Sequence, residues 1–396
     1  MKIDSHLIFV ALCLTMILSC KDDTTGNSKE ASVGEFYFGA DLSHVNQILD
    51  HNGVYRTNGN ILSPYKIFKD RGTDVVRLRL WHNPQWTKEV YGAAGTQMYN
   101  DLADVSKSIS LIKAQGMAVL LNLHYSDTWA DPGRQEIPRA WNEIKTTEAL
   151  GDSVYQYTAR VFRTLANEGL IPEFVQIGNE TNCGMLFTNT PEGFPSFNVC
   201  EGNWDGMGRI LRKAISAVRA STESSKVKTK VILHVADPKN VEWWFDNITS
   251  TSGGNVIDFD IIGMSYYPLW HTTVGIDQIS DNIKMLGNKF GKPVMILETA
   301  YPWTTEANDE YSNLFGDQMP LNGFPFTEKG QHDLLVKIVQ EVRDGGGLGV
   351  IYWEPAWISS EMKDLWGRGS SWENCTFFDF GGNTHQGIDF MNYAYK

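Results

Sequence analysis

The chain alternates between two hydrophobic patterns. Short apolar, β-branched runs typical of buried strands recur along it, separated by longer segments with apolar residues at helical spacing. The strand candidates are Phe36–Asp41, Val75–Leu80, Ala118–His124, Phe174–Asn179, Val231–Val235, Ile261–Tyr266, Val294–Glu298 and Gly349–Trp353. The clearest helix candidates are Asp101–Gln115, Leu150–Ala166, Met207–Ser221, Ile276–Phe290 and Glu328–Arg343. Strands that alternate with helices predict βα units and a parallel sheet.

Eight strand candidates between residues 35 and 396 predict an α/β fold, a single (β/α)8 TIM barrel. An open doubly wound sheet is the main alternative, but it usually carries a glycine-rich phosphate-binding turn after its first strand. The corresponding residues here are Gly39-Ala-Asp-Leu-Ser43, which do not form such a turn. No linker-like composition divides residues 35–396, so we expect them to form one domain.

The first residues follow a different pattern. Lys2 precedes an apolar run, Leu7–Leu18, that is too short to span a bilayer comfortably and is typical of an export signal. The run ends in Ile-Leu-Ser-Cys20, which resembles a bacterial lipoprotein signal: cleavage would remove residues 1–19 and leave a lipidated Cys20. A plain secretory signal with an incidental cysteine is the alternative.

Residues 20–34 are expected to form a flexible tether, because Lys21–Glu30 contains no apolar residue that could join a core. The acidic residues just after Cys20 resemble a surface-export signal of Bacteroidetes-type lipoproteins. We therefore expect an exported outer-membrane lipoprotein at the cell surface, which contacts the membrane only through its N-terminal lipid.

Charge and cysteine content narrow the function further. The 34 Lys and Arg residues against 47 Asp and Glu residues give a formal net charge of −13, which argues against nucleic-acid binding. After Cys13 and Cys20, three cysteines remain, and Cys183 and Cys200 are the expected disulfide pair because they lie in one loop region. No cysteine or histidine spacing indicates zinc. We expect the protein to act as a monomer.

Polar or aromatic residues end nearly every predicted strand. They are Asp41, Arg77, Arg79, Trp81, His124, Tyr125, Asn179, Glu180, His234, Tyr266, Tyr267, Glu298, Trp353 and Glu354. In a barrel these ends converge on the C-terminal face, where catalytic residues gather. The sequence therefore predicts a functional site on that face.

Glu180 and Glu298 each follow an apolar strand, three strands apart, so they can face each other across the barrel mouth. Glycoside hydrolysis typically needs two carboxyl groups. One protonates the leaving oxygen, and the other attacks the anomeric carbon or activates water. The alternative is that each glutamate forms a structural ion pair with an arginine.

Five motifs resemble glycoside hydrolase family 53 of clan A, the endo-β-1,4-galactanases of type I arabinogalactan. They are His124-Tyr-Ser-Asp-Thr-Trp-Ala-Asp-Pro132, Ile177-Gly-Asn-Glu-Thr-Asn182, Gly263-Met-Ser-Tyr-Tyr-Pro268, Glu298-Thr-Ala-Tyr-Pro-Trp303 and Tyr352-Trp-Glu-Pro-Ala-Trp357. The match runs in order from about Phe36 to Gly382. It implies a retaining hydrolase of β-1,4-galactan that needs no cofactor for its chemistry.

The resemblance implies that Glu180 is the general acid/base and Glu298 the nucleophile. Asn179 would bind the sugar 2-hydroxyl, and Tyr266 and His234 would orient the two glutamates. Arg77 and Arg79 are two apart on one strand and point the same way, so one or both can reach Glu298. The other expected substrate-binding residues are Trp81, His124, Tyr125, Ser126, Asp127, Trp129, Asp131, Tyr267, Trp303 and Trp353.

Two structural features are also implied by the resemblance. Relatives carry a calcium ion between the loops after strands seven and eight, and Asp309, Asn313, Ser370 and Glu373 are the candidate ligands here. Oxygen-rich loops suit calcium. However, Ala307 and Tyr311 occupy positions at which a ligand residue would be expected, so a solvated acidic loop is the alternative. Clan members also share a cis peptide after the last strand, which predicts a cis Trp353–Glu354 bond.

Two other functions remain open from the sequence. One is a different retaining clan A endoglycanase, acting on mannan or a β-glucan, although the motif His124–Pro132 argues against it. The other is a non-catalytic, surface glycan-binding barrel, against which the presence of both Glu180 and Glu298 argues.

Overall fold

The computed structural model describes residues 36–395. The predicted signal peptide, the tether and Cys20 lie outside the described residues. Eight parallel strands close into a barrel in which each strand pairs with its neighbours in chain order and the last pairs with the first. The strands are β1 (Tyr37–Asp41), β2 (Val75–Leu80), β3 (Ala118–Leu123), β4 (Phe174–Ile177), β5 (Lys230–Ala236), β6 (Ile261–Ser265), β7 (Val294–Glu298) and β8 (Gly349–Tyr352). The predicted (β/α)8 fold is confirmed.

Helices cover the outside of the barrel. They are α1 (Val45–Asp50), α2 (Pro64–Asp70), α3 (Trp86–Glu89), α4 (Leu102–Ala114), α5 (Thr147–Asn167), α6 (Trp204–Thr222), α7 (Pro238–Thr249), α8 (Ile279–Phe290) and α9 (Glu328–Asp344). Short 3-10 turns and a two-stranded hairpin, Arg56–Thr57 with Asn60–Ile61, lie in the loops. Within residues 36–395, none of the helices combines the length and the apolar character needed to cross a membrane.

Most predicted elements match the structure within two residues, and β2 and β7 match at both ends. The helices α1, α2, α3 and α7 were missed. The first three span seven residues or fewer, which is too short for a helical period to show in the pattern.

Two apolar layers hold the barrel together. Inside it, side chains such as Val75, Leu120, Ile232, Met295 and Ile351 form a buried cluster toward the N-terminal ends of the strands. A larger cluster fills the space between strands and helices. This interior cluster closes the N-terminal end of the barrel. Polar side chains at the C-terminal ends of the strands therefore reach water only through the C-terminal mouth.

Candidate active site

A cavity of about 580 Å³ opens at the C-terminal mouth of the barrel. Most of the residues predicted to act there line it: Arg77, Arg79, His124, Trp129, Asp131, Asn179, Glu180, Tyr267, Glu298 and Trp353. The other predicted residues, Trp81, Tyr125, Ser126, Asp127, His234, Tyr266 and Trp303, do not line this cavity. The sequence analysis therefore located the site, and ten of its seventeen predicted residues line the cavity, but more than half of the lining was not among them.

A sharp turn after β4 places Glu180 in the mouth. Gly178 has a φ of +76°, and a Cβ atom there would lie 2.7 Å from Cγ2 of Thr181. Glu180 itself has a φ of +47°, a left-handed conformation that side-chain-bearing residues rarely adopt. Such strain clusters at functional sites, where the surroundings enforce it. The turn redirects the chain so that Glu180 faces the cavity.

The two predicted carboxylates lie close together. An oxygen of Glu180, an oxygen of Glu298 and a ring nitrogen of His234 all lie within 4.8 Å of one another. Glu180 is 8% exposed and Glu298 is 5% exposed, so both are nearly withdrawn from water. Two buried carboxyl groups at this distance cannot both ionise without a compensating cation or strong hydrogen bonds.

Glu298 has those compensating partners. Arg77 places Nη2 2.8 Å from its Oε1, and the Tyr267 hydroxyl donates to its Oε2 at 2.8 Å. Burial raises the pKa of Glu298, while the Arg77 charge and the Tyr267 hydrogen bond act in the opposite direction. These contacts favour an ionised Glu298.

Glu180 has a different environment. Ser265 Oγ donates a hydrogen bond of 2.5 Å to its Oε1. Burial, and then the nearby charge of Glu298, raise the pKa of Glu180 well above its ordinary value, and the Ser265 hydrogen bond only partly opposes this. The different surroundings therefore favour different protonation states, with Glu180 protonated and Glu298 ionised.

Arg77 and Arg79 have separate partners. Besides Glu298, Arg77 contacts Asp41 Oδ2 at 2.8 Å and donates to Asn179 Oδ1 at 2.7 Å. Arg79 instead pairs with Glu354 at 3.2 Å. One or both arginines were expected to reach Glu298, and Arg77 is the one that does so.

The prediction for Tyr266 was wrong. Its hydroxyl donates to the Val274 carbonyl at 3.2 Å, away from both glutamates, and Tyr267 takes the expected place on Glu298. The prediction for His234 is closer to the structure, because His234 contacts Ser265, which in turn binds Glu180. Ser265 was missed by the sequence analysis.

The predicted cis peptide was also wrong. Within residues 36–395 there is no cis peptide bond, and the Trp353–Glu354 bond is trans. The chain leaves β8 through Glu354, which has a φ of +46°. That conformation buries the Glu354 carboxylate completely beside Arg79.

Aromatic side chains form much of the cavity wall. Trp129 lies under the Arg79 guanidinium, 3.9 Å from Cζ to the ring centroid, and Trp353 faces it across a centroid distance of 6.1 Å. The wall also contains Trp270, Trp357, Trp366 and Trp372. Indole faces pack well against the apolar faces of sugars, so this wall suits a carbohydrate chain.

Two predicted tryptophans serve as support instead. Trp81 is 1% exposed and donates its Nε1–H to His124 Nδ1 at 3.3 Å, behind the cavity wall. Trp303 donates to the Glu373 carbonyl at 3.1 Å and packs on Phe380. Both follow a strand end, but neither contacts the cavity.

The loop after β3 divides in the same way. His124 and Asp131 line the cavity. Tyr125, Ser126 and Asp127, which follow His124, form hydrogen bonds that hold the loop in shape. The Tyr125 hydroxyl bonds to Thr158 at 2.8 Å. Ser126 Oγ accepts from the Thr128 backbone. Asp127 accepts backbone N–H bonds from residues 83 and 139, at 2.9 and 2.8 Å.

The long loop between β4 and α6 is tied by a disulfide. Cys183 and Cys200 are joined with an S–S distance of 2.04 Å, which is the expected pairing, and Cys375 is a buried free thiol. Cys183 lies three residues after Glu180, so the disulfide holds the loop that flanks the cavity on that side.

The four candidate calcium ligands lie in the expected loops, but most of their oxygens are already engaged. Both Asp309 oxygens accept backbone N–H bonds, from residues 311 and 370. Glu373 accepts from the Asn308 N–H and the Ser359 hydroxyl, and the Ser370 hydroxyl donates to the Trp357 carbonyl. Among the side-chain oxygens of these four candidate ligands, only the buried Oδ1 of Asn313 has no hydrogen-bond partner within residues 36–395. Calcium takes about six to eight oxygen ligands around one centre. Within residues 36–395, Asp309 and Glu373 do not belong to a group of His, Cys, Asp or Glu side chains close enough to share a metal ion, so the set as placed does not fit calcium.

Direct hydrogen bonds join these loops instead, and this can be tested by thermal unfolding. The Tyr311 hydroxyl donates to the Asp364 carboxylate, 2.7 Å from Oδ2. We expect a chelator to leave the Tm unchanged and Tyr311→Phe to lower it by about 2–4 °C. A large fall in Tm on chelation that added calcium reverses would contradict this account.

A profile of the family described as Glycosyl hydrolase family 53 matches residues 37–391. Among curated proteins, an arabinogalactan endo-β-1,4-galactanase of Cellvibrio japonicus is 42% identical over 355 residues, which cover 89% of each chain. An endo-β-1,4-galactanase of Bacillus subtilis is 31% identical, over 91% of this chain and 86% of that protein.

Solved structures agree with the profile. The family 53 catalytic domain of Ignisphaera aggregans superposes with a TM-score of 0.78 at 29% identity, covering 93% of this chain and 98% of that one. A fungal β-1,4-galactanase superposes with a TM-score of 0.74 at 28% identity, covering 90% and 99%. The profile match over nearly the whole described chain and the identity to its curated relatives lead to one conclusion: this chain belongs to glycosyl hydrolase family 53.

Proposed function

We propose that this protein is an endo-β-1,4-galactanase that cleaves galactan chains with retention of configuration. One observation carries the proposal: two buried carboxyl groups with oxygens within 4.8 Å face a tryptophan-lined cavity at the barrel mouth. Retaining glycosidases place their carboxyl groups about 5–5.5 Å apart, whereas inverting enzymes need about 6.5–9.5 Å to admit a water. The galactanase names of the relatives support galactan as the substrate.

In the first step, Glu180 gives its proton to the glycosidic oxygen while the Glu298 carboxylate attacks the anomeric carbon. The bond to the leaving sugar breaks, and a glycosyl–Glu298 ester forms. The raised pKa of Glu180, caused by burial and by Glu298, suits the acid role. Arg77 and Tyr267 hold Glu298 and favour its ionised form.

In the second step, the now ionised Glu180 takes a proton from water, and the resulting hydroxide oxygen attacks the anomeric carbon. The ester breaks, Glu298 regains its charge, and the sugar leaves in its original β configuration. We assign the contact with the sugar 2-hydroxyl to Asn179. Its Nδ2 donates one bond to the Ala130 carbonyl at 2.8 Å, and the second hydrogen on Nδ2 can serve the sugar.

The open, aromatic cavity supports attack within a polymer. Digestion of linear β-1,4-galactan tests the proposal, with mannan and a mixed-linkage β-glucan as comparison substrates. We expect oligosaccharides of mixed length early in the galactan digest. Preferred hydrolysis of either comparison substrate, or binding of galactan without any release of reducing sugar, would overturn it.

We further propose that Cys20 carries a lipid that anchors the protein at the outer membrane surface. The apolar run that ends in Ile-Leu-Ser-Cys20 supports this proposal, because it resembles a bacterial lipoprotein signal. We expect Cys20→Ala to move the protein from the membrane fraction to the soluble fraction with unchanged specific activity on galactan. A variant that stays in the membrane fraction would argue for another mode of attachment.

A further inference from the structure

A line of buried hydrogen bonds runs beneath Glu180. Ser265 Oγ lies 2.5 Å from Glu180 Oε1, and His234 Nε2 lies 2.9 Å from Ser265 Oγ. On its other side, His234 Nδ1 lies 2.9 Å from Gln176 Nε2 and 3.3 Å from the backbone nitrogen of Glu180. Ser265, His234 and Gln176 are fully buried, so water cannot replace any of these partners.

A cation and a backbone donor together fix the direction of the bonds in this line. Arg77 Nε donates to Gln176 Oε1 at 3.1 Å, and a guanidinium has no acceptor. The Gln176 NH2 group therefore faces three acceptors, Gly178 O, Asn179 Oδ1 and His234 Nδ1, and shares its two hydrogens among them. The backbone N–H of Glu180 can only donate, so it makes His234 Nδ1 an acceptor. Burial first, and then Arg77, lower the pKa of His234 well below its ordinary value, so the ring is neutral.

A neutral ring that accepts at Nδ1 carries its proton on Nε2. His234 therefore donates to Ser265 Oγ, and the single Ser265 proton is left for Glu180 Oε1. If the acidic proton of Glu180 were also on Oε1, two hydrogens would face each other. The other oxygen, Oε2, forms no hydrogen bond within residues 36–395, and the carboxyl group faces the cavity.

We propose that Ser265 is a positioning residue: held by His234, Gln176 and Arg77, it commits Oε1 of Glu180 to accepting a hydrogen bond and so keeps the acidic proton on Oε2. The inference rests on the proposed acid/base role of Glu180. Arg77 acts on both carboxyl groups, because it contacts Glu298 directly and its charge helps to keep His234, which positions Ser265, neutral.

The test is Ser265→Ala, read as the pH profile of kcat/KM on galactan. The charged and titratable groups that face Glu180 are Glu298, Asp131, Arg77, His234 and Tyr267. Removing only the Ser265 donor removes a bond that favours the ionised form. The alkaline limb should then move upward by about one pH unit. On galactan, kcat should fall about tenfold, with KM nearly unchanged, because the proton is no longer confined to Oε2.

Substrates with activated aryl leaving groups need little protonation, so the glycosylation rate of Ser265→Ala on them should stay within about twofold of the wild type. Ser43→Ala is the matched control, since Ser43 is also a buried strand-end serine that donates to a carboxylate, that of Asp41. It should leave the alkaline limb in place. Ser265→Cys retains a weak donor, so its profile should fall between those of the wild type and the alanine variant.

An unshifted alkaline limb in a folded Ser265→Ala or Ser265→Cys variant would overturn the inference. So would an equal loss of rate on galactan and on the activated substrate, which would indicate a merely structural role. If the wild type itself releases nothing from galactan, the proposed function fails instead, and the two failures are distinguishable.

Discussion

Glu298→Ala is expected to lower the hydrolysis of galactan by on the order of 10⁴-fold or more, the largest effect of any single substitution. The variant lacks the carboxylate that attacks the anomeric carbon, and activated leaving groups should not restore its rate. Arg77 and Tyr267 would then face an empty space where the charge had been.

Azide distinguishes loss of the nucleophile from loss of the fold. In Glu298→Ala, azide can enter the vacated space and attack an activated aryl galactoside from the side that Glu298 occupied. That displacement inverts the anomeric carbon, so the product should be an α-galactosyl azide, identified by proton NMR. Glu298→Gln, which keeps the shape of the side chain, should be equally inactive on galactan and give no azide product. A β-galactosyl azide from Glu298→Ala would contradict the assignment.

The barrel and its two glutamates could be predicted because both rest on local patterns. An apolar strand that ends in a carboxylate is visible in the sequence, and the parallel barrel brings all such ends to one face. This reasoning placed Glu180 and Glu298 at the same mouth without any knowledge of their distance. The distance itself depends on the turn through Gly178 and Glu180, which strand periodicity does not describe.

Tyr266 differs from its two neighbours in the direction of its side chain. Side chains alternate along a strand, so residues 265 and 267 share one face and residue 266 takes the other. The alternation that gives Arg77 and Arg79 a shared direction applies equally to residues 265–267. It would have indicated Ser265 and Tyr267, which do contact the two glutamates, and excluded Tyr266.

Other misses have a different physical cause. Trp303 lies five residues beyond the end of β7, where alternation no longer applies, and loop packing turns it away from the cavity. Arg79 lines the cavity as predicted, and the sequence pattern left open which of the two arginines contacts Glu298; Arg79 pairs with Glu354 instead. The conformation of Glu354 that makes this pairing possible is set by the φ of +46° after β8, which the sequence pattern does not contain.

Glu180→Ala is expected to lower the hydrolysis of galactan by about 10²–10⁴-fold, because an alkoxide-like leaving sugar is poor without a proton. On an activated aryl galactoside long enough to bind, however, the first step should remain fast, because that leaving group needs little protonation. The variant should therefore form the glycosyl–Glu298 ester and then stall, since no base activates the water. A burst of phenolate followed by slow turnover is the expected time course.

Azide should relieve this stall, because it is a nucleophile that needs no general base. It attacks the ester from the side that Glu180 occupied, so the product should be a β-galactosyl azide, opposite in configuration to that from Glu298→Ala. The rescued rate should also lose the alkaline limb of the pH profile, since the group whose pKa is raised by burial and by Glu298 has been removed.

Glu173→Ala is the matched control for Glu180→Ala. Glu173 immediately precedes β4 at the opposite end of the strand from Glu180 and pairs with Lys113 on the surface, 2.6 Å from Nζ to Oε1. Its loss should leave both the galactan rate and the pH profile close to those of the wild type. Initial release of α-configured products by the wild type would mean inversion: Glu298 would then activate water rather than bond to the sugar, and the closeness of the two carboxyl groups would need another explanation.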